Sequence, residues 1–521
     1  MTLATDKRQI ARAASIVMVA FALSRVLGLV RQMVIAGQFG TGVEMDAYQA
    51  AFRLPDLLFQ LMAGGALGSA FIPTFTGYLT RGDRAGAWRL VSAIINLVLV
   101  ILTLTAVVGA LVAPWLVDWI IAPGFDAPTA ALTVRLMRVM LISSVIFGVS
   151  GVLMGALNAH QHFLLPAVAP MLYNLSIIGG TLFLAPSMGV MGLAVGVVVG
   201  SALHLLVQVP GLIHFDVRYA PVLTVQDPGV REVARLMGPR VLGLAVVQLN
   251  FLVNTNLASR LGEGAVSAIN FAWLLMLLPQ GVFAQAVATA AFPTFAEQVA
   301  RGERAAMRSA LAATLRAIFA LSLPAAVGLA VLRGPLIAML FERGAFGETA
   351  TDLVAWALLF YALGLVAHAG LEIVARAFYA LHDTKTPLLV GGGAMLLNVG
   401  LSLALPPLFE SLGWLPLGGL ALANSLATTL ELLGLLWIIR GRLQGLEGQR
   451  SRLTILRSTA AAALMGLALV ALLWALPEAN PLLLGPAGIA LGATVYAGAA
   501  WALGVEEVRA IAAGVARRLH G

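Results

Sequence analysis

Fourteen runs of mostly apolar residues, each long enough to cross a bilayer, constrain this chain more than any other feature. A transmembrane helix needs roughly 20 such residues. The runs lie at about 12–37, 48–78, 88–113, 130–158, 163–184, 188–209, 236–260, 266–298, 308–332, 350–380, 386–406, 415–439, 455–476 and 481–503. Short connections join them, and the longer ones are charged or rich in Pro and Gly. Composition agrees: 60% of residues are hydrophobic and 11% charged, against about 25% charged in soluble domains. That excludes an ordinary soluble domain and a disordered chain. The 32 Lys and Arg against 24 Asp and Glu therefore read as loop charge on a membrane protein, not as a nucleic-acid surface.

Absences narrow the chemistry. Without cysteine there can be no disulfide, thiolate metal site, iron–sulfur cluster or thiol nucleophile. Lys7 and Lys385 are the only lysines, and neither follows a Gly-rich loop, so no Walker-type ATP site exists. A transporter without cofactor is expected, not an enzyme. His160 and His162 are two residues apart and have no carboxylate neighbour to complete a metal site. The first run follows Lys7, Arg8 and Arg12, as in a signal peptide. It continues past Arg25 and Arg31 with no small-residue cleavage site, so it is expected to remain as the first span.

Charge in the connections sets orientation. One set of loops carries Arg81, Arg84, Arg89, Arg231, Arg235, Arg301, Arg304, Arg308, Lys385, Arg440, Arg442 and Arg450. The opposite set keeps Arg333 and Arg343 beside Glu44, Asp118, Asp126, Glu342 and Glu348. Basic loops stay in the cytoplasm, which places both termini inside.

The chain is also duplicated. Ala70-Phe71-Ile72-Pro73-Thr74-Phe75 recurs as Ala291-Phe292-Pro293-Thr294-Phe295. Arg81-Gly82-Asp83-Arg84-Ala85 matches Arg301-Gly302-Glu303-Arg304-Ala305, an offset of 220. Met171-Leu172-Tyr173-Asn174 echoes Met395-Leu396-Leu397-Asn398, and Gly192-Leu193-Ala194 echoes Gly419-Leu420-Ala421. Four matches in order at nearly one offset define a repeat of six spans. An even number makes the copies parallel, as in many secondary transporters. The expected architecture is all-helical, with about 14 transmembrane helices. Residues 1–225 and 226–445 form two six-helix lobes around a central cavity, and 446–521 add two helices and a short tail. Gly151/Gly155 and Gly192/Gly196/Gly200 place small residues on one helix face for close packing.

Charges at membrane depth are costly, about 2.5 kcal/mol or more at the centre of a span. Arg25 and Arg31 lie within the first run, and no acid falls within four residues of either. Arg53 lies in the second, and Arg260 at the outer end of the seventh. Arginine remains ionised and binds phosphate oxygens in bidentate fashion, so a shared site for a phosphate or diphosphate is expected. The competing reading is local neutralisation, Arg53 by Asp56 for example, or snorkelling to an interface. Asn398, Asn424 and Thr428 form a candidate site for a monovalent cation, or serve as interhelical hydrogen bonds.

Several motifs carry a family likeness. They are Ser24-Arg25-Val26-Leu27-Gly28-Leu29-Val30-Arg31, Asp46-Ala47-Tyr48 and Phe52-Arg53-Leu54-Pro55-Asp56-Leu57-Leu58, with Gly65-Ala66, Ala70–Pro73 and Arg376-Ala377-Phe378-Tyr379-Ala380-Leu381 leading to Thr386-Pro387. In these the sequence resembles the MviN/MurJ lipid II flippases of the multidrug/oligosaccharidyl-lipid/polysaccharide exporter superfamily, from about residue 14 to 505. The resemblance implies fourteen helices, an inward-facing cavity and a groove for the lipid tail at the last two helices. It implies export of the undecaprenyl-diphosphate-linked peptidoglycan precursor across the bacterial inner membrane, with lipid II or a related polyprenyl glycan as substrate; a monomer is expected. It assigns substrate binding to Arg25, Arg31, Arg53 and Arg260, and an outer gate to Asp46. Phe59 and Gln60 stand where some relatives carry a further arginine, and Gly64 where some carry Glu. The alternatives are a flippase for another polyprenyl-linked glycan and an ion-coupled drug exporter of that superfamily. The exporter would have twelve spans and acids in its cavity. A scaffold for wall-synthesis enzymes, the third reading, would carry an added soluble domain. With no ATP motif, the drive must be the membrane potential, an ion gradient or removal of product.

Orientation is directly testable in a chain without cysteine. Single cysteines at 82 and 302 should react only with membrane-permeant maleimides in intact cells. Cysteines at 126 and 347 should react with impermeant ones, and the reverse pattern overturns the orientation.

Overall fold

Hydrocarbon offers no partner for a backbone N–H or C=O, so each apolar run must satisfy its own peptide groups, and a helix does this within one segment. The computed structural model describes residues 2–62, 66–215 and 217–509. Its first helices are α1 (Thr2–Phe39), α2 (Val43–Met62), α3 (Ala66–Thr80), α4 (Arg84–Leu116), α5 (Ala127–Ala159) and α6 (Leu164–Gly179). Then follow α7 (Ala185–Met188), α8 (Val190–Leu206), α9 (Val209–His214), α10 (Pro228–Ala258), α11 (Ala265–Pro279) and α12 (Ala286–Ala300). The last are α13 (Arg304–Phe341), α14 (Glu348–Ala380), α15 (Lys385–Ser411), α16 (Leu417–Arg442), α17 (Gly448–Ala475) and α18 (Pro481–Ala502). π-Helical turns at Val117–Ile121, Gly180–Leu184 and Gln280–Gln285 continue or join neighbouring helices. No β-sheet occurs among the described residues.

Side-chain caps start several helices where the sequence supplies them. Asp83 accepts the Gly86 N–H, Asp126 the Thr129 N–H, Asp227 the Gly229 N–H and Asn480 the Leu482 N–H, each satisfying a donor that has no intrahelical partner.

Eleven helical segments among the described residues are long and apolar enough to span a membrane. The other three apolar runs of the sequence coincide with α1, α2–α3 and α10. Those helices carry Arg25, Arg31, Asp46, Arg53, Asp56 and Gln248. The run at 48–78 is divided between α2 and α3. Gly64 lies outside the described residues.

The chain forms two compact units, Met1–Val266 with Gly344–Phe346, and Ser267–Arg343 with Gly347–Gly521. In the first, α5 packs against α2, α3, α4 and α8, and α1 packs on α6. Gly192 permits α8 to approach the start of α7, and Gly196 permits the α6–α8 crossing. A Cβ on Gly192 would lie 2.6 Å from the Ala185 nitrogen, and one on Gly196 would lie 3.1 Å from the Ser176 carbonyl oxygen. Helix α10 packs on α2 and α3 and so belongs to this unit. The segment Gly344–Phe346 docks here through the Ala345 N–H, which donates to the Gly37 carbonyl at 2.8 Å.

In the second unit α14 packs against α13 and α16, α15 lies on α16, and α17 and α18 pack on α13. Phe378, Ile373, Leu311, Ile318 and Leu435 are buried in its main core. The central helices of the two units, α5 and α14, are each 33 residues long and begin at Ala127 and Glu348. That spacing matches the sequence repeat, so duplicated helices take the same central position.

One buried charge ties the last two helices to α13. The Arg316 side chain is 5% exposed, and its Nη1 and Nε each lie 2.8 Å from a carboxylate oxygen, of Glu447 and Glu507 respectively. Ser309 donates to Glu447 at 2.6 Å, and Thr454 donates to Glu507. The Ser309 hydroxyl and then the Arg316 guanidinium hold the Glu447 carboxyl below the usual carboxylate range. Its stabilising contribution is complete at neutral pH and is lost as pH falls through that depressed value. Arg316→Met leaves two partly buried carboxylates uncompensated and should destabilise the fold by about 3 kcal/mol, the lower end for a broken buried pair because Glu447 retains some exposure. The triple variant R316M/E447Q/E507Q should recover most of that loss. Thermal midpoints in detergent check both, and equal midpoints for wild type and R316M would remove the argument.

Candidate functional site

The sequence-predicted residues fall into two groups, one in each unit. Ser24, Gly28 and Arg31 share a face of α1 by helical spacing. Asn174 of α6, 6% exposed, reaches that face. Arg31 Nη1 donates to Asn174 Oδ1 at 3.1 Å, and Asn174 Nδ2 donates to the Ser24 carbonyl at 3.3 Å. Arg31 Nε is shielded from solvent and has no partner. Tyr48 of α2 and Tyr173 of α6 stand within electrostatic reach of this guanidinium. Arg25 is exposed, one and a half turns earlier on α1.

Arg53 reaches α10. Its Nε donates to Thr255 Oγ1 at 2.7 Å, and its guanidinium lies 5.7 Å from the Phe251 ring centroid, within cation–π range. Asp56 accepts from Gln248 Nε2 at 3.3 Å. The polar face of α10 thus meets α2 through Gln248 and Thr255, seven residues apart. Sequence reasoning passed over both, although i, i+7 spacing of polar groups in an apolar run was the available signal.

Arg260 lies in the turn beyond α10, just past the helix end expected for it. It is exposed and donates to Asn256 Oδ1 at 3.4 Å. Local contacts brace this turn: Asn256 Nδ2 donates to the Ile120 carbonyl at 2.7 Å, and the Gly124 N–H donates to Ser259 Oγ at 3.2 Å. A Cβ on Gly124 would sit 2.3 Å from the Ser259 carbonyl oxygen, so no larger residue fits. Asp46 is 2% exposed, and its Oδ2 accepts the Gly264 N–H at 2.8 Å. The described contacts therefore distribute the predicted arginines over α1–α6, α2–α10 and the turn after α10.

In the second unit Asn398 is buried and accepts from Ser402 Oγ at 3.4 Å. Asn424 Oδ1 lies 3.1 Å from His368 Nε2, and Trp273 packs edge-on against that imidazole. Thr428 is buried on the same helix as Asn424. His368 is a partner that the sequence reading did not foresee, since nothing in sequence spacing links it to α16. Glu372 is paired with Arg376 at 3.7 Å.

Two duplicated bundles of long apolar helices, one of them carrying arginines and a buried aspartate, define a polytopic membrane transporter. Structural likeness agrees. The multidrug resistance MATE transporter of the MOP superfamily in an inward-facing conformation superposes with a TM-score of 0.69 over 82% of this chain and 96% of its own, at 17% identity, which speaks for the fold. A structure described as lipid II flippase MurJ, inward closed conformation, superposes with a TM-score of 0.77 over 92% of this chain and 96% of that one, at 25% identity.

The lipid II flippase MurJ family profile matches residues 35–479. Among relatives, the lipid II flippase MurJ of Burkholderia cenocepacia is 35% identical over 419 residues, 79% of this chain and 81% of its own. The probable lipid II flippase MurJ of Haemophilus influenzae is 33% identical over 78% of this chain and 82% of its own. The chain belongs to the MurJ lipid II flippase family.

Proposed function

We propose that this protein carries lipid II, the undecaprenyl-diphosphate-linked peptidoglycan precursor, from the inner to the outer leaflet of the bacterial plasma membrane by alternating access. One observation supports the reading most. Arg31 is held at membrane depth by a neutral amide, with its Nε unpaired, whereas the buried Arg316 is matched by two carboxylates. An uncompensated guanidinium suits an anionic substrate that supplies the missing oxygens. Arg25, Arg53 and Arg260 complete the substrate-binding set. The two repeats, 1–225 and 226–445, are the moving elements, with 446–521 as an addition. Both termini face the cytoplasm, and the working unit is a monomer.

Asp46 acts in the outer gate. Accepting the Gly264 N–H, it joins the start of α2 to the loop after α10, and breaking this bond would let the two separate. A Cβ on Gly42 would lie 3.5 Å from Glu263 Oε1, so cysteines at 42 and 263 should be joined by a short bis-methanethiosulfonate crosslinker whose span replaces the glutamate side chain. The crosslink should stop transport, and reduction should restore it. Full activity of the crosslinked protein would sink the gate.

The drive is the membrane potential, worth about 2.3 kcal/mol per charge at about 100 mV. An inside-negative potential favours return of the empty cationic site to the cytoplasmic side, while the diphosphate offsets its charge on the outward stroke. A monovalent cation at Asn398, Asn424 and Thr428 is the second reading of the drive. Arg31→Ala should fail to support growth of a flippase-depleted strain while inserting normally, and normal growth overturns the substrate assignment. In sodium-free liposomes, lipid II should flip faster under an imposed inside-negative potential. Equal rates would leave product removal as the drive.

A further inference from the structure

Asn174 stands beside Arg31 but has no part in the mechanism so far. Its amide bridges α6 to two points on α1, accepting from Arg31 and donating to the Ser24 carbonyl. At Gly28, between those points, even an added Cβ would stand 3.9 Å from Asn174 Nδ2, so the amide lies over the helix where no side chain intervenes. Chemistry dictates which way the amide faces. A guanidinium offers donors only, and a peptide carbonyl accepts only, so Oδ1 must face Arg31 and Nδ2 must face Ser24.

The chemical type of this partner matters. Arg31 has no carboxylate partner among the described residues. A carboxylate in the place of Asn174 would orient the guanidinium equally well but cancel its charge. An amide oxygen takes one N–H and leaves the charge intact. Nε, shielded and unpaired, is then a buried cationic donor awaiting an acceptor, which is a costly state for a folded protein to keep. We propose that Asn174 is a positioning residue for the substrate anion, holding Arg31 by a neutral tether so that Nε–H and the uncancelled charge meet a diphosphate oxygen. This rests on the assignment of Arg31 to substrate binding.

The test separates orientation from bulk stability. Asn174→Asp is isosteric and puts a carboxylate against Arg31. The affinity of purified full-length protein for fluorescent lipid II should fall roughly tenfold, the loss expected when a charge-assisted contact is cancelled. The ion pair gained at Arg31 offsets the bond lost at the Ser24 carbonyl, so the thermal midpoint without lipid should stay near that of wild type. Asn174→Ser drops the tether but keeps the charge, so affinity should decrease in the order wild type, N174S, N174D. A merely structural asparagine predicts a lower midpoint in both variants with affinity retained. In an Arg31→Gln background neither change should weaken binding further. If R31Q loses affinity while N174D and N174S bind as wild type does, the Asn174 proposal fails and the substrate assignment stands. If R31Q itself binds normally, the substrate assignment fails and this proposal with it. Should N174D not fold, N174S alone decides: unchanged affinity overturns the proposal.

Discussion

The cost of burying charge shapes the buried polar contacts of this protein. Backbone groups meet it by folding into helices, but side-chain charges need partners from other helices. The chain uses two distinct arrangements. Arg316 is surrounded by Glu447 and Glu507, and its charge is spent on holding the segments around α17 and α18 against α13. Arg31 faces Asn174, an acceptor without charge. The first arrangement fastens helices together, and the second leaves positive potential for an anion. The difference lies in the partner, not in the arginine.

Duplication supplied a frame whose copies have since diverged in their polar detail. Helices α5 and α14 keep equal length and a central position. At the helix starts that match in sequence, Asp83 caps α4 through the Gly86 N–H, whereas Glu303 makes no side-chain cap on α13. Asn174 and Asn398 occupy matching places in the repeat, yet one holds an arginine and the other accepts from a serine. Apolar packing tolerates divergence if volume and pattern persist. Polar partners are specific, and they have changed.

The local contacts also show how helices that carry polar groups are accommodated. α1, α2 and α10 carry Arg25, Arg31, Asp46, Arg53, Asp56, Gln248 and Thr255. Their polar faces are covered by one another: α2 meets α10 through Arg53–Thr255 and Asp56–Gln248. At these contacts protein side chains face the charges of Arg53 and Asp56.

By itself the sequence determined that the chain is helical and membrane-spanning, that it is duplicated, and that its first lobe carries unusual charge. These follow from quantities local in sequence: runs of apolar residues, a repeat offset, and arginines without acids nearby. The family likeness followed from short contiguous motifs around Arg25, Arg31, Asp46 and Arg53. Tertiary structure decided the partners. Nothing in sequence spacing says that Arg53 meets Thr255 across 202 residues, that Arg31 meets Asn174 across 143, or that Asp46 accepts the Gly264 amide. A helix fixes which residues share a face, but not which neighbour covers that face. Arg25 and Arg31 looked alike along the chain, and packing against α6 gave only Arg31 the described bond to Asn174.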